Sequence, residues 1–237
     1  MSGFHRKRGS TTLIRVVTLL LLAVPCMAFG EDLPFEFRGA RLGMSIDELR
    51  TIQFPDIDGS RFHPGIESSI RLVCESDTPR IEPPGVSPVY LEARRRFDAL
   101  GSNLCSWVVP DAVGKKAYLQ VGQGGSERVT YDLYRAPDGV QRLWKIEIGI
   151  PESLAPSLLE SLTEKFGAPA NMEKTAVQNR MGAKFDSFYS KWSNAASTIE
   201  LTQRTGRLDE GKLVYTHVAY ADDYQKKWDE ISGPSKL

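Results

Sequence analysis

The segment Arg142–Pro169 constrains the fold more than any other part of the chain, because its hydrophobic period changes once along its length. Trp144, Ile146 and Ile148 recur at every second position, which is the pattern of a half-buried strand. Five large apolar residues then share one stripe at helical spacing: Leu154, Leu158, Leu159, Leu162 and Phe166. A strand that runs directly into an amphipathic helix predicts a fold in which the helix lies on a sheet.

Both ends of this helix carry ordinary boundary signals. Ser153 is a candidate N-cap, and Pro156 is tolerated because a first-turn residue needs no backbone donor. Gly167 can adopt the positive φ that ends a helix, and Pro169 prevents further helix. The stripe could serve as a partner-binding face, but a stripe that faces the core is much the commoner arrangement.

Residues 1–28 are organised like a secretory signal peptide. Basic residues precede a short apolar run, and small residues follow it, which predicts export and cleavage after Ala28 or Gly30. An uncleaved membrane anchor would need about 20 apolar residues, and the run is shorter. Lipid attachment at Cys26 is disfavoured, because Pro25 stands where a lipoprotein signal needs Gly, Ala or Ser. We therefore expect a periplasmic protein with no membrane span after cleavage.

Cleavage changes the charge balance of the chain. Residues 1–28 hold four of the 30 basic residues and none of the 30 acidic ones, which leaves 26 basic and 30 acidic residues in a mature chain of 209. The resulting formal charge of −4 argues against nucleic-acid binding, which requires a basic surface. The mature length is enough for one large or two small domains with a hydrophobic core.

Two cysteines, Cys74 and Cys105, remain after cleavage, and both lie in apolar segments that resemble strands. Two cysteines in an exported chain permit one intramolecular pairing, so the sequence predicts a structural disulfide. A reactive thiol is the alternative, but neither cysteine has a histidine near it in the sequence.

A second helix start lies close to the mature N-terminus, after the short strand and turn expected at Phe35–Gly43. Ser45 and Glu48 have the spacing of a capping box, and Met44 and Leu49 are placed as its hydrophobic staple. These residues predict a short helix that ends before Pro55.

The motif Gly39-x-x-x-Gly43-Met44-Ser45-x-x-Glu48-Leu49 resembles the opening of small bacterial envelope proteins. These are the SmpA/OmlA outer-membrane-assembly lipoproteins, the β-lactamase-inhibitor-protein fold and related exported proteins. The resemblance implies helices packed on one face of an antiparallel sheet, sometimes in tandem units. Helices of that family commonly end in Gly-x-Pro, which occurs here only at Gly167-Ala168-Pro169, whereas Thr51–Pro55 follows the first helix. The resemblance assigns no functional residue.

Most of the remaining chain alternates in the manner of strands. The strand-like segments are Ile70–Cys74, Leu104–Val109, Ala117–Val121, Arg128–Arg135, Val140–Ile148, Ala183–Trp192, Ser197–Arg204 and Lys212–Tyr220. The turn Ala136-Pro137-Asp138-Gly139 predicts a hairpin between two of them. We expect an α+β fold with an antiparallel sheet, arranged as two tandem helix-then-sheet units, 34–135 and 136–231, or as one continuous sheet.

Two further segments are expected to be helical. Val89–Leu100 fits a helix, although its start could be extended, and Asp222–Ile231 reads as a polar terminal helix. The basic cluster Arg94–Arg96 is expected to be a solvated helix face, with an anionic partner as the less common alternative.

Recognisable catalytic chemistry is missing from the sequence. The mature histidines, His63 and His217, lack the spacing of a metal site or a catalytic triad. Asp56-x-Asp58-Gly59 lacks the later ligands of a calcium loop, and Gly122-x-Gly124-Gly125 opens no helix that could hold phosphate. The sequence therefore predicts no catalytic residue, no metal ligand and no cofactor.

Aromatic residues along the strands are the remaining candidates for binding. An antiparallel sheet can leave one face exposed, and exposed Tyr and Trp side chains are typical of protein-binding surfaces. Tyr118, Tyr134 and Tyr220 are out of phase with the apolar residues of their strands, so we expect them on the surface as candidate binding residues. Trp144 is expected in the core.

These observations favour an exported envelope protein that acts by binding, with another envelope protein as its expected partner. A periplasmic enzyme whose site is assembled from distant residues is the first alternative. An inhibitor or carrier of small envelope molecules is the second. Oligomeric state is not encoded in any pattern of the sequence.

Overall fold

A computed structural model of the chain describes residues 33–53, 70–77, 87–108, 119–121, 125–127 and 129–233, all of which lie in one compact unit, Asp32–Leu237. Several residues named above lie outside this part of the chain: the signal peptide at 1–28, the Asp56–Gly59 turn, His63, Tyr118 and Gly122–Gly124.

The described elements comprise four helices and twelve strands. The helices are α1 (Ile46–Thr51), α2 (Pro88–Ala99), α3 (Ala155–Phe166) and α4 (Val218–Ser232). The first six strands are β1 (Glu36–Phe37), β2 (Ala40–Arg41), β3 (Arg71–Cys74), β4 (Asn103–Val108), β5 (Leu119–Val121) and β6 (Gly125–Glu127). The others are β7 (Val129–Arg135), β8 (Gln141–Pro151), β9 (Asn171–Gln178), β10 (Lys184–Ser193), β11 (Ser197–Thr202) and β12 (Glu210–His217).

Eight of these strands form one antiparallel sheet in the order β3-β4-β7-β8-β12-β11-β10-β9. The pairs β1-β2 and β5-β6 form two separate hairpins. The predicted α+β class with an antiparallel sheet is confirmed. The boundary expected between residues 135 and 136 falls in the hairpin that joins β7 to β8, so the two predicted halves of the chain share one continuous sheet.

The hydrophobic core covers one face of this sheet, which we call the core face. Leu143, Ile146 and Ile148 on β8 are fully buried there, together with Leu158 and Leu162 of α3. The predicted stripe of α3 is therefore confirmed as a core-facing surface. Each such side chain contributes about 1.5–3 kcal/mol of transfer free energy before the entropic cost of ordering it is subtracted.

The disulfide Cys74–Cys105 is present, as the sequence predicts. The two residues are direct partners on β3 and β4, and both are 1 % exposed within the core cluster. The bond closes a loop with a sequence separation of 31 residues. It therefore ties the edge strand β3 to its neighbour β4.

Helix boundaries agree with the capping signals except at one position. Ser45 caps α1 in a reciprocal capping box, in which the Glu48 N–H donates to Ser45 Oγ at 3.2 Å and the Ser45 N–H donates to Glu48 Oε2 at 2.7 Å. Gly167 ends α3 with φ 81°. Ser153 is not an N-cap, because it lies within a 3-10 turn at Glu152–Leu154 that precedes α3.

Strand β9 and the start of α4 differ from the sequence-based expectation. Strand β9 forms one edge of the sheet, and Asn171–Ala176 are all exposed. The segment therefore lacks the apolar alternation of a half-buried strand, and the sequence does not predict it. Strand β12 ends at His217, and α4 begins at Val218, four residues before the expected start of the terminal helix. As a result Tyr220 lies on a helix and not on a strand.

Helices lie on both faces of the sheet, which corrects the expectation of helices on one face only. Helix α3 covers the core face, where its end receives a hydrogen bond from Trp192 Nε1 to the Gly167 carbonyl at 2.9 Å. Helix α4 lies on the opposite face, where Tyr224 stacks on Trp144 with ring centroids 4.5 Å apart. Helix α2 is on this second side too, beside β3 and β4.

Candidate functional site

A cavity of about 870 Å³ lies between α2, Tyr224 of α4 and the sheet face opposite the core. Its floor is formed by β3, β4, β7 and β8. A volume of this size is within the range of small-molecule binding sites. We call this space the helix-sheet cavity.

A one-residue irregularity in β8 brings Trp144 into the cavity. Asp132 pairs with Lys145, but the next residue of β7, Leu133, pairs with Leu143, so Trp144 has no partner on β7. Such an extra residue shifts the alternation of a strand by one position. Leu143 therefore points to the core face while Trp144 and Lys145 both line the cavity, and the prediction that Trp144 belongs to the core is wrong.

Aromatic side chains form a large part of the cavity wall. Trp144 and Tyr224 are nearly parallel, at an interplanar angle of 18°. Tyr90 and Phe97 line the cavity from α2 and are 55 % and 42 % exposed. Helix α2 has no fully buried residue, and its Tyr90, Ala93 and Phe97 side chains line the cavity.

The floor of the cavity holds a charged network. Lys145 Nζ lies 2.6 Å from Asp132 Oδ2 and 3.3 Å from Glu147 Oε2, and Lys212 Nζ lies 3.0 Å from the other oxygen of Glu147. Burial alone would lower the pKa of Lys145, but Asp132 and Glu147 raise it, so the ammonium stays charged. Burial would raise the pKa of Glu147, but Lys212 and Lys145 bring it below its usual range.

Asp132 is the most buried charged residue of this network, at 8 % exposure. Burial raises the pKa of its carboxyl, and the neighbouring Lys145 only partly offsets this effect. Its Oδ2 is paired with Lys145, whereas its buried Oδ1 has no hydrogen-bond partner within the part of the chain that the structure describes. A buried carboxylate oxygen without a donor is costly to the fold.

Arg94, the cation on the α2 wall of the cavity, also forms ion pairs. Arg94 lies 3.2 Å from Glu75 Oε2 and 3.8 Å from Asp98 Oδ1. Its neighbours Arg95 and Arg96 both contact Glu92 on the solvent side of α2. The expected solvated basic face is present at Arg95, which is exposed, whereas Arg96 is half-buried and Arg94 belongs to the cavity.

The tyrosines proposed from sequence occupy different environments. Tyr134 is 0 % exposed, and its hydroxyl donates to Asp223 Oδ2 at 3.1 Å, so the expectation that it lies on the surface is wrong. Burial under α4 and the Asp223 carboxylate both raise the pKa of its hydroxyl. Tyr220 is half-buried, with its ring 5.9 Å from that of Tyr134. Tyr118 lies outside the described residues.

His217 does not belong to the cavity lining and packs at the junction of β12 and α4. Its ring stacks on Tyr220 with centroids 4.1 Å apart, and Gly43 lies against both side chains. Burial lowers the pKa of His217. No group of three or more potential metal ligands occurs among the described residues, which include His217 but not His63.

Sequence reasoning missed the cavity residues Asp132 and Lys145. One signal could have indicated them: each is a charge inside an otherwise apolar strand, in Val129-Thr-Tyr-Asp-Leu-Tyr134 and Leu143-Trp-Lys-Ile146. Charged residues inside such strands are rarely buried unless they are paired. Their opposite charges on hairpin-linked strands are consistent with a cross-strand pair.

Comparison with known proteins finds no matching protein family, no matching curated protein and no matching solved structure. The resemblance to SmpA/OmlA and β-lactamase-inhibitor-type proteins therefore stays a prediction. Among the residues that the structure describes, none of the helices is both long and apolar enough to span a membrane.

Proposed function

We propose that this protein is an exported, non-catalytic binding protein that holds a small amphiphilic molecule in the helix-sheet cavity. The observation that carries the proposal is the cavity itself, a half-open space of about 870 Å³ with apolar and aromatic walls above a charged floor. Binding sites for small molecules combine a mainly apolar lining with a few placed polar groups. Of the roles expected from the sequence, this geometry favours the carrier of small envelope molecules.

Two alanines on α2 provide a matched test of the cavity. Ala93 lines the cavity, whereas Ala99 is exposed at the end of the same helix. Ala93→Phe should reduce binding of the apolar fluorescent probe 1-N-phenylnaphthylamine by about tenfold or more, because the added ring occupies the space. Ala99→Phe should leave binding unchanged. Equal binding by both folded variants, or no binding by the wild-type protein, would contradict the proposal.

The periplasm is the proposed location. Export is supported by the signal-like residues 1–28 and by the buried disulfide, which is typical of oxidising compartments. Mass analysis of the protein purified from the periplasm should find a chain that begins at Phe29 or Glu31. An intact Met1 or a lipid-modified Cys26 would contradict this location.

A protein partner is the second candidate function, and the edge strand β9 supports it. Strand β9 pairs only with β10 among the described strands, and its residues Asn171–Ala176 are exposed. Exposed edges can accept a strand from another chain. Met172→Lys combined with Ala176→Lys should abolish capture of such a partner from envelope extract, whereas Ala93→Phe should not. Capture that is unaffected by the edge variant would exclude this mode of binding.

A further inference from the structure

We infer that the helix-sheet cavity selects amphiphiles that carry a protonated amine, and that Asp132 is the residue that receives this amine. The inference rests on the proposed function, because it names the chemical class of ligand for the same cavity. Three independent features of the lining support it: the state of its charged groups, the unpaired oxygen of Asp132 and the placement of its aromatic rings.

Both cations of the lining are already neutralised by the protein. Lys145 contacts Asp132 and Glu147, and Arg94 contacts Glu75 and Asp98. An anionic headgroup would have to displace these carboxylates to reach either cation. The charged residues of the lining are Glu75, Asp98, Asp132 and Glu147 against Arg94 and Lys145, an acidic excess of two.

The lining residue Asp132, in contrast, has a carboxylate oxygen that lacks a donor among the described residues. Asp132 Oδ1 is buried and makes no hydrogen bond within the described part of the chain, although Oδ2 of the same group is paired with Lys145. An oxygen in this state gains a hydrogen bond only from an incoming donor. A charged N–H donor is favoured over a neutral hydroxyl, because hydrogen bonds between two charged groups are the stronger ones.

Aromatic rings of the same cavity also suit a cation. Trp144 and Tyr224 stack on each other, and Lys145 Nζ already lies 5.2 Å from the centre of the Trp144 ring. Faces of Trp and Tyr attract ammonium groups at such distances. Tyr90 and Phe97 on α2 offer apolar contact for the rest of the molecule. Charge at the floor and apolar walls together fit an alkylamine.

Decylamine, decanol and decanoate have chains of equal length and differ in the charge of the headgroup, so they show which headgroup the cavity prefers. Each is titrated into the wild-type protein at neutral pH, and binding is measured by calorimetry. Decylamine should bind about tenfold more tightly than the other two, as expected for a charge-assisted hydrogen bond in a buried site. Equal binding of amine and alcohol, or tighter binding of decanoate, would refute the inference while leaving the proposed cavity function intact. Failure of all three to bind would contradict the proposed function itself.

Two matched variants test the role of Asp132. Asp132→Asn should remove the preference for decylamine over decanol, whereas Glu200→Gln should keep it, because Glu200 lies on the same sheet face outside the cavity and pairs with Lys191 at 2.9 Å. An amine preference that survives in Asp132→Asn would refute the assignment.

A third variant covers the case in which Asp132→Asn does not fold. Lys145→Gln removes the internal cation that competes for Asp132 and Glu147, so decylamine should bind more tightly than in the wild-type protein. Unchanged or weaker binding of decylamine by this variant would refute the inference.

Discussion

The two faces of the eight-stranded sheet show how differently one set of strands can be covered. The core face is filled by aliphatic side chains, the disulfide and α3, and its central residues Leu143, Ile146 and Ile148 are fully buried. The opposite face carries α2 and α4, a cavity of about 870 Å³ and the ion pairs of Asp132, Lys145 and Glu147. Stability is therefore expected to come mainly from the first face, and binding from the second.

A pair of tryptophans gives the largest expected contrast between the faces. Trp192 is 2 % exposed on the core face, and Trp192→Ala should lower the free energy of unfolding by about 3–5 kcal/mol, the range for large core truncations. Trp144 is half-buried on the cavity face, so Trp144→Ala should cost clearly less. Chemical denaturation of both variants measures the difference. Equal losses of unfolding free energy in the two variants would show that the two faces contribute equally to stability.

Removal of the disulfide should have the next largest effect. The double variant Cys74→Ala, Cys105→Ala frees a loop with a sequence separation of 31 residues, which corresponds to roughly 3.7 kcal/mol on the chain-entropy estimate. Thermal unfolding with and without reductant measures the effect. Reductant should lower the melting temperature of the wild-type protein and not that of the variant. An unchanged wild-type melting temperature in reductant would contradict a structural role for the bond.

The hydrogen bond from Tyr134 to Asp223 is expected to stabilise the packing of α4 on the second face. Tyr134→Phe removes the hydroxyl that donates to Asp223, and it should lower the free energy of unfolding by about 1 kcal/mol. Tyr220→Phe is the control, because that ring is only half-buried. Urea denaturation compares the two variants. A larger loss for Tyr220→Phe would show that the helix is anchored elsewhere.

The smallest expected effect is the pH response of the junction between β12 and α4. Burial lowers the pKa of His217 below its ordinary value of 6.5, so the unfolded chain binds its proton more readily than the folded one. Stability should therefore fall as the pH drops below 6.5, and His217→Gln should flatten this decline. Melting temperatures taken above the pH range of carboxylate titration measure the slope. An identical slope in the variant would exclude His217 as its source.

Features with local sequence signals are predicted correctly. The capping box of Ser45 and Glu48, the stripe of α3 and the hairpin between β7 and β8 are confirmed, because each depends on residues close together in the chain. The predicted positions of Trp144 in the core and of Tyr134 on the surface are wrong. The face of Trp144 depends on a one-residue irregularity in strand pairing, and the burial of Tyr134 depends on α4, which lies 84 residues or more further along the chain.

The sequence by itself determined the antiparallel α+β character of the chain, the C-terminal end of α3 and the cysteine pairing, since periodicity, capping and two remaining thiols leave few alternatives. The tertiary structure alone decided that α2 and α4 lie opposite α3, and that Asp132, Lys145 and Trp144 share a cavity with Tyr224. The physical reason is that this arrangement depends on strand register and on contacts between distant elements. A shift of one residue in pairing moves a side chain to the other face of a sheet, and no local pattern records it.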